Sequence, residues 1–314
     1  MSPEQWSGHE PVLLSETITL LEPRSDGLYL DATLGGGGHA EAILEASSPG
    51  GRLIGLDRDP RAIDYARRRL SRFADRIELH ERNFAEIEAA PELAGVRLDG
   101  ALLDLGVSSP QIDEKARGFS YQQDAPLDMR MGPRGEPARD LLTRADLDEL
   151  TDIIRRYGEE RHARRIALAI VRERDRNPIH TTGCLREIVE RAVPRSEHRL
   201  KSVARVFQAL RIAVNAELEA LSSGLPQIFD RLVDGARLIV ISYHSLEDRI
   251  VKRYFRDLAA DCVCPPDFPV CRCDKRSQAA ILTPRGVTAG PAEAEANPRS
   301  RSARLRAIER RRAA

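Results

Sequence analysis

The sequence predicts an α/β fold, a parallel, doubly wound sheet interrupted by an inserted helical module. Three observations predict it. Short apolar runs alternate with helix-forming segments over the first hundred residues, several of those runs close on an acidic residue, and the alternation stops after Gln111, with strand signals resuming only at Arg237. Strands that alternate with helices build parallel sheets, which bind ligands at the carboxyl ends of their strands.

Within residues 28–40 an apolar, β-rich run starting at Leu28 breaks into four glycines, Gly35 to Gly38, and then into a helix-forming segment. Glycine lacks a Cβ, so the backbone can turn sharply and approach a ligand, and the N–H groups at the following helix start are left to donate. Gly35-x-Gly37-x-x-Ala40 fits the dinucleotide fingerprint and also the looser glycine loop of S-adenosylmethionine (SAM) enzymes, so the loop marks an adenosine cofactor without choosing one. A second strand, Arg52 to Asp57, ends in a carboxylate placed to bind ribose hydroxyls. Asp59-Pro60 then starts a helix that runs to Leu70, with Ala62, Ile63, Ala66 and Leu70 at helical spacing. A third strand, Ile77 to His80, leads to Asn83-Phe84, and a fourth, starting at Leu98, carries Asp104 near its end.

Val107-Ser108-Ser109-Pro110-Gln111 follows the fourth strand and favours SAM. Enzymes that methylate exocyclic amines place a short polar, proline-containing turn here, whereas a dehydrogenase has no need of one. The lone pair of such an amine is delocalised into its ring. It becomes nucleophilic only when nearby oxygens accept its protons and hold it in line with the methyl group, and proline stiffens the turn that does so.

With these residues in hand, the chain resembles the bacterial small-subunit rRNA cytosine-N4 methyltransferases, the RsmH or MraW family. The matching segments are His9–Leu14, Asp31–His39, Asp104–Gln111, Arg117–Ser120, Pro126–Met131, Ile241–Arg249 and Asn297–Arg306, which together span nearly the whole chain. The resemblance implies a Rossmann-like SAM-dependent methyltransferase fold, with SAM held by Gly37, Gly38, His39, Asp57, Phe84, Asp104 and Gln111. Asp57 would hold the ribose, Phe84 would pack near the adenine, and Asp104 would face the methionine end or the target amine. Asp104, Ser109 and Pro110 are the expected catalytic positions. The implied target is the exocyclic N4 of the decoding-site cytidine, nucleotide 1402 of 16S rRNA, presented as free rRNA or in the small ribosomal subunit. Two other readings stay open, an NAD(P)-dependent oxidoreductase and a ribosome-assembly factor with a vestigial SAM fold.

Composition narrows the partners. Acidic and basic residues balance at 49 each, which excludes a uniformly basic RNA-binding surface. No run approaches the ~18 apolar residues of a membrane span, and the amino terminus lacks an apolar signal core, so a cytoplasmic protein with neither membrane nor DNA as partner is expected. From Arg299 to Ala314 seven arginines face the single acid Glu309, a formal +6. This segment reads as a basic tail, 291–314, able to hold phosphates by arginine's planar fork. The expected organisation is a discontinuous SAM-binding domain, 1–112 and 205–290, around a helical substrate-recognition insert, 113–204. That insert carries helices from about Asp146, Glu159 and Thr181, with basic positions Arg186, Arg191, Arg195, Arg199, Lys201 and Arg205. A helix from Val206 to Leu221 precedes the strand at Arg237.

Tyr243, His244 and Asp248 follow that strand. Tyr243 is placed to stack on a flipped base, and His244 or Asp248 to relay a proton. Of the five cysteines, Cys262-x-Cys264 and Cys271-x-Cys273 put four thiols within twelve residues. They fit a tetrahedral zinc site, although the spacing departs from the commoner Cys-x-x-Cys knuckle and Pro265, Pro266 and Pro269 suit a plain loop equally well, so no metal is assigned. No cysteine stands beside Asp104. Methylation at cytosine C5 needs a thiol to attack C6, whereas N4 chemistry needs no covalent nucleophile.

Overall fold

A computed structural model describes residues 11–194, 199–264, 272–273 and 275–312, with Ser109 and Pro110 described in backbone only. His9, Glu10, Arg195, Pro265, Pro266, Pro269 and Cys271 lie outside the described residues. The chain forms two compact units, one from Met1–Gly106 with Leu218–Ala314 and the other from Val107–Glu217.

In the first unit, α1 (Leu14–Leu21) precedes β1 (Leu28–Asp31), α2 (Gly38–Ala46), β2 (Arg52–Asp57), α3 (Pro60–Arg69), β3 (Ile77–Glu81) and β4 (Leu98–Asp104). Asp59 caps α3 by accepting from the Arg61 N–H, just ahead of Pro60, which needs no donor there. After the second unit the chain returns through α10 (Glu217–Arg231), β5 (Leu232–Ser242), α11 (Ser245–Ala259), β6 (Ala279–Ile281), α12 (Pro291–Ala296) and β7 (Arg304–Arg310). The sheet order is β3-β2-β1-β4-β5-β7-β6. β1 to β5 are mutually parallel, and β7 runs antiparallel to both of its neighbours. Strand order reverses between β1 and β4, and a doubly wound sheet opens its ligand crevice at that point.

Side chains alternate across this sheet with period two. Ala101, Leu103, Leu238 and Val240 pack on one face with Leu225 and Phe229 of α10 and Val251 and Phe255 of α11. Leu102, Ile239 and Leu305 pack on the other with Ile43 and Leu44 of α2 and Ile63 and Ala66 of α3. Both faces are thus covered, which is why β1, β2 and β4 read as short, nearly continuous apolar runs.

The second unit contains α4 (Ser109–Asp113), α5 (Ala138–Arg144), α6 (Leu147–Gly158), α7 (Ala163–Arg174), α8 (Thr182–Ala192) and α9 (Arg199–Asn215). Its core joins Leu141, Leu150, Ile154, Ile166, Leu185, Val203 and Leu210. Buried Asn215 accepts from the Met131 N–H at 2.8 Å and donates to the Met129 carbonyl at 2.7 Å, tying the end of α9 to the Asp128–Met131 loop. Among the described residues no helix is long and apolar enough to cross a membrane.

Three expectations need correction. The described part of the basic C-terminal tail expected over 291–314 is not a tail: Arg304–Arg310 form β7, inserted between β5 and β6, because Leu305, Ala307 and Ile308 each bury completely. The helix expected over Val206–Leu221 is two helices, broken at Ala216, whose φ of 48° is left-handed. Finally, the second unit runs from Val107 to Glu217 and not from 113 to 204, since Val203, Val206, Phe207 and Leu210 of α9 belong to its core.

Candidate active site

The glycine turn is built to come close to something. Gly35 and Gly37 have φ values of 50° and 74°, where an L side chain is strained. A Cβ on Gly37 would stand 3.3 Å from Ala66 Cβ, and one on Gly38 2.5 Å from Pro11 Cγ. No side chain caps the start of α2, so its first N–H groups face the crevice with the positive end of the helix dipole behind them. Asp57, at the end of β2, braces this turn: Oδ2 accepts from the Gly35 N–H and Oδ1 from the Asp59 N–H, both at 2.8 Å. Each oxygen keeps a further lone pair for a ligand hydroxyl.

Across the switch point, the Asp104 N–H donates to Thr33 Oγ1 at 2.6 Å and the Tyr243 hydroxyl donates to Asp104 Oδ1 at 2.8 Å. Tyr243 is therefore a partner of Asp104 across the ends of β4 and β5. His39 Nε2 lies 3.0 Å from the Val12 carbonyl, which only accepts, so Nε2 carries the proton. Burial drives the His39 pKa down to about 4, leaving the ring neutral at pH 7. Its Nδ1 stands 3.7 Å from Asp104 Oδ2, a distance too long for a hydrogen bond, so the two are neighbours and not an ion pair.

Three carboxyls close β1, β2 and β4. Burial pushes Asp31 up to about 7, with the charges of Asp104 and Asp57 adding to it and the Thr33 N–H opposing. Asp104 also reaches about 7 through burial, against the Tyr243 hydrogen bond, and Asp57 reaches about 6 through burial, opposed by its two backbone donors. Carboxyls held this far above their ordinary range want a cation or hydrogen-bond donors. A sulfonium and an ammonium, with ribose hydroxyls alongside, match that demand, and the glycine turn offers backbone donors to a carboxylate. The residues fit SAM.

The remaining predicted positions fall as follows. Phe84, half-buried just after β3, lies against Gly224 of α10, where a Cβ would meet the ring at 2.5 Å. Gln111, in the second unit, is buried. It accepts from the Ser108 N–H at 3.0 Å, and its amide nitrogen lies 3.4 Å from the Met131 carbonyl, so it braces its own turn. Ser109 and Pro110 start α4, and their side chains lie outside the description. Asp248 is no proton relay: Arg306 engages both of its oxygens, at 2.6 and 3.1 Å. His244 caps α11 in a reciprocal capping box with Glu247. One residue outside the expected set joins the carboxyls of the first unit: Asp31, which closes β1 and is buried. In the second unit, Ser108 has a buried Oγ with no partner among the described residues.

This sheet order, with its antiparallel seventh strand, its glycine turn and its row of strand-end carboxyls, defines the class of SAM-dependent methyltransferases. Residues 6–311 match the MraW methylase family model, and the chain belongs to that family. It is 53% identical over 307 residues, covering 96% of this chain and 98% of the relative, to "Ribosomal RNA small subunit methyltransferase H" of Pelobacter propionicus. The protein of the same name from Heliobacterium modesticaldum is 50% identical with the same coverage. A solved putative methyltransferase from Streptococcus mutans, in complex with SAH, aligns at 11% identity and a TM-score of 0.45, over 96% of this chain and 99% of that one. Family membership settles the ambiguity of the glycine loop in favour of SAM over a dinucleotide.

Proposed function

We propose that this chain methylates the exocyclic N4 of a cytidine in small-subunit rRNA, the decoding-site cytidine 1402. The observation that carries the reading is the half-buried, Tyr243-bonded carboxyl of Asp104 at the end of β4, followed in the sequence after Leu105-Gly106 by Val107-Ser108-Ser109-Pro110-Gln111. SAM supplies an electrophilic methyl group on a positively charged sulfur. The chain supplies positions: Gly37, Gly38 and the start of α2 for the methionyl carboxylate, Asp57 for the ribose and Phe84 for the adenine edge. Asp104 accepts from the target amine, and Ser109, Pro110 and Gln111 keep the role that their place in the sequence after Asp104 gives them, the turn that shapes the amine site. The amine nitrogen forms a bond to the methyl carbon as the sulfur–carbon bond breaks, and the nitrogen then sheds a proton to water. Geometry, not a strongly tuned base, sets the rate. The names of the relatives support rRNA as the substrate, and the lack of a cysteine at the ends of β4 and β5 supports N4 over C5.

The direct test is to incubate the full-length protein and SAM with small subunits or 16S rRNA lacking the modification, then digest the RNA and identify the nucleosides by mass spectrometry. N4-methylcytidine mapping to position 1402 is expected. A C5-methylated product, a trapped protein–cytosine adduct or unmodified RNA overturns the reading.

Asp57→Ala tests the cofactor assignment separately. Loss of a charge-assisted ribose contact and of the brace on Gly35 is expected to weaken SAM binding by about 1.5–3 kcal/mol, or roughly ten- to a hundredfold in Kd. Calorimetric titration reads it, and an unchanged Kd takes Asp57 out of the site.

A further inference from the structure

We infer that Cys262, Cys264 and Cys273 form a structural zinc site, a role that methyl transfer does not require. The three sulfurs lie within 4.8 Å of one another. Cys262 and Cys273 are 3.8 Å apart, sulfur to sulfur. A disulfide would bring them to about 2.05 Å. Sulfurs sharing one tetrahedral zinc at about 2.3 Å each stand about 3.8 Å apart, so the pair already has the edge length of a zinc–thiolate tetrahedron.

The backbone around the cluster favours thiolates. Cys262 Sγ accepts from the Cys264 N–H at 3.3 Å, Cys264 Sγ from the Arg272 N–H at 3.5 Å, and Cys273 Sγ from the Val263 N–H at 3.4 Å. Every sulfur of the cluster thus receives a backbone donor, and hydrogen bonds to the charged form of a group favour that form. The loop is also closed at its base. The Gln278 N–H donates to the Leu258 carbonyl at 2.8 Å and the Ser277 N–H to Asp261 Oδ1 at 3.1 Å, so both arms start from fixed points at the end of α11 and ahead of β6. Apolar packing is sparse here; Val263 is 62% exposed. A segment that buries so little gains order from a metal clip. Binding displaces the three thiol protons to solvent and leaves zinc in its divalent state. The sequence carries one more thiol, Cys271, outside the described residues.

The test uses full-length protein purified without a histidine tag from zinc-supplemented cells. Elemental analysis is expected to find close to one zinc per chain. Cys262→Ser, Cys264→Ser and Cys273→Ser should each cut retained zinc by about tenfold or more after dialysis, while Cys184→Ser, in the other unit, should leave it unchanged. Zinc below about a tenth of an equivalent in the wild type, zinc unaffected by all three substitutions, or iron in its place overturns the site. Should the serine variants fail to fold, cobalt replacement in the wild type decides. Intense tetrahedral bands with thiolate-to-cobalt charge transfer support the site, and a weak octahedral spectrum rejects it.

Discussion

Deleting residues 299–314 is expected to abolish cooperative folding of the sheet-bearing unit. β7 pairs with β5 from Arg237↔Glu309 to Ser242↔Arg304 and with β6 from Ala279↔Arg310 to Ile281↔Ile308. Its loss leaves β6 without a partner and opens the edge of β5. Leu305 and Ile308 are fully buried, and forfeiting their burial costs about 1.5–3 kcal/mol each. Removing Arg306, itself 5% exposed, also strands Asp248 in the first turn of α11. Set against the roughly 5–15 kcal/mol by which a domain is stable, the two side chains alone forfeit about 3–6 kcal/mol before the stranded Asp248 and the sheet pairing are counted. Circular dichroism on heating reads the outcome, and a truncated protein with the wild-type transition overturns the placement of β7. The deletion cannot report on phosphate contacts, because it removes part of the fold. Arg301 and Arg304, whose side chains are exposed, can be replaced without that penalty, and a flattened salt dependence of RNA binding would be their signature.

β7 escaped the sequence reading for a physical reason. Arg304-Leu305-Arg306-Ala307 alternates as a half-buried strand does, but seven arginines in sixteen residues read as solvated charge. What cancels the Arg306 charge is Asp248, 58 residues away, and nothing local announces it. The break at Ala216 was equally hidden. Alanine is the strongest helix former, and the bonds that secure Asn215 just before the break reach the Met129–Met131 loop, 84 to 86 residues earlier. By contrast, β1, the glycine turn and β2 are local objects. Their strand runs, φ-positive glycines and Asp57 follow from neighbouring residues alone, and the structure places them within the ranges expected. The pairing of Tyr243 with Asp104 spans 139 residues and depends on β4 and β5 being neighbours, so only the topology reveals it.

Replacing Asp104 with Asn should separate charge from shape at the proposed reaction centre. Asparagine can still accept from the Tyr243 hydroxyl, so the contact between the ends of β4 and β5 is kept while the negative charge is lost. In the wild type, burial holds the Asp104 carboxyl at about 7, against about 3.9 for an unfolded chain. The folded state therefore binds this proton more tightly than the unfolded state. Its contribution to stability is fully present below about pH 4 and is lost as the pH rises through 7. A carboxyl raised from about 3.9 to about 7 contributes at most roughly 4 kcal/mol, so cofactor-free Asp104→Asn should hold its Tm better than the wild type between about pH 6 and about pH 8. Catalysis should move the other way. In the proposed reaction positive charge would pass from sulfur to the target amine as the methyl leaves, and an ionised Asp104 would stabilise a cation that an amide only partly satisfies. Single-turnover methylation is expected to fall by about a hundredfold or more, and SAM affinity by about tenfold, while affinity for S-adenosylhomocysteine, whose sulfur carries no charge, falls less. The wild-type kcat/KM, which reports the free enzyme, should rise with pH through about 7 and the variant's should not. A variant that turns over within about twofold of the wild type, or that loses SAM and S-adenosylhomocysteine equally, would reduce Asp104 to a structural brace.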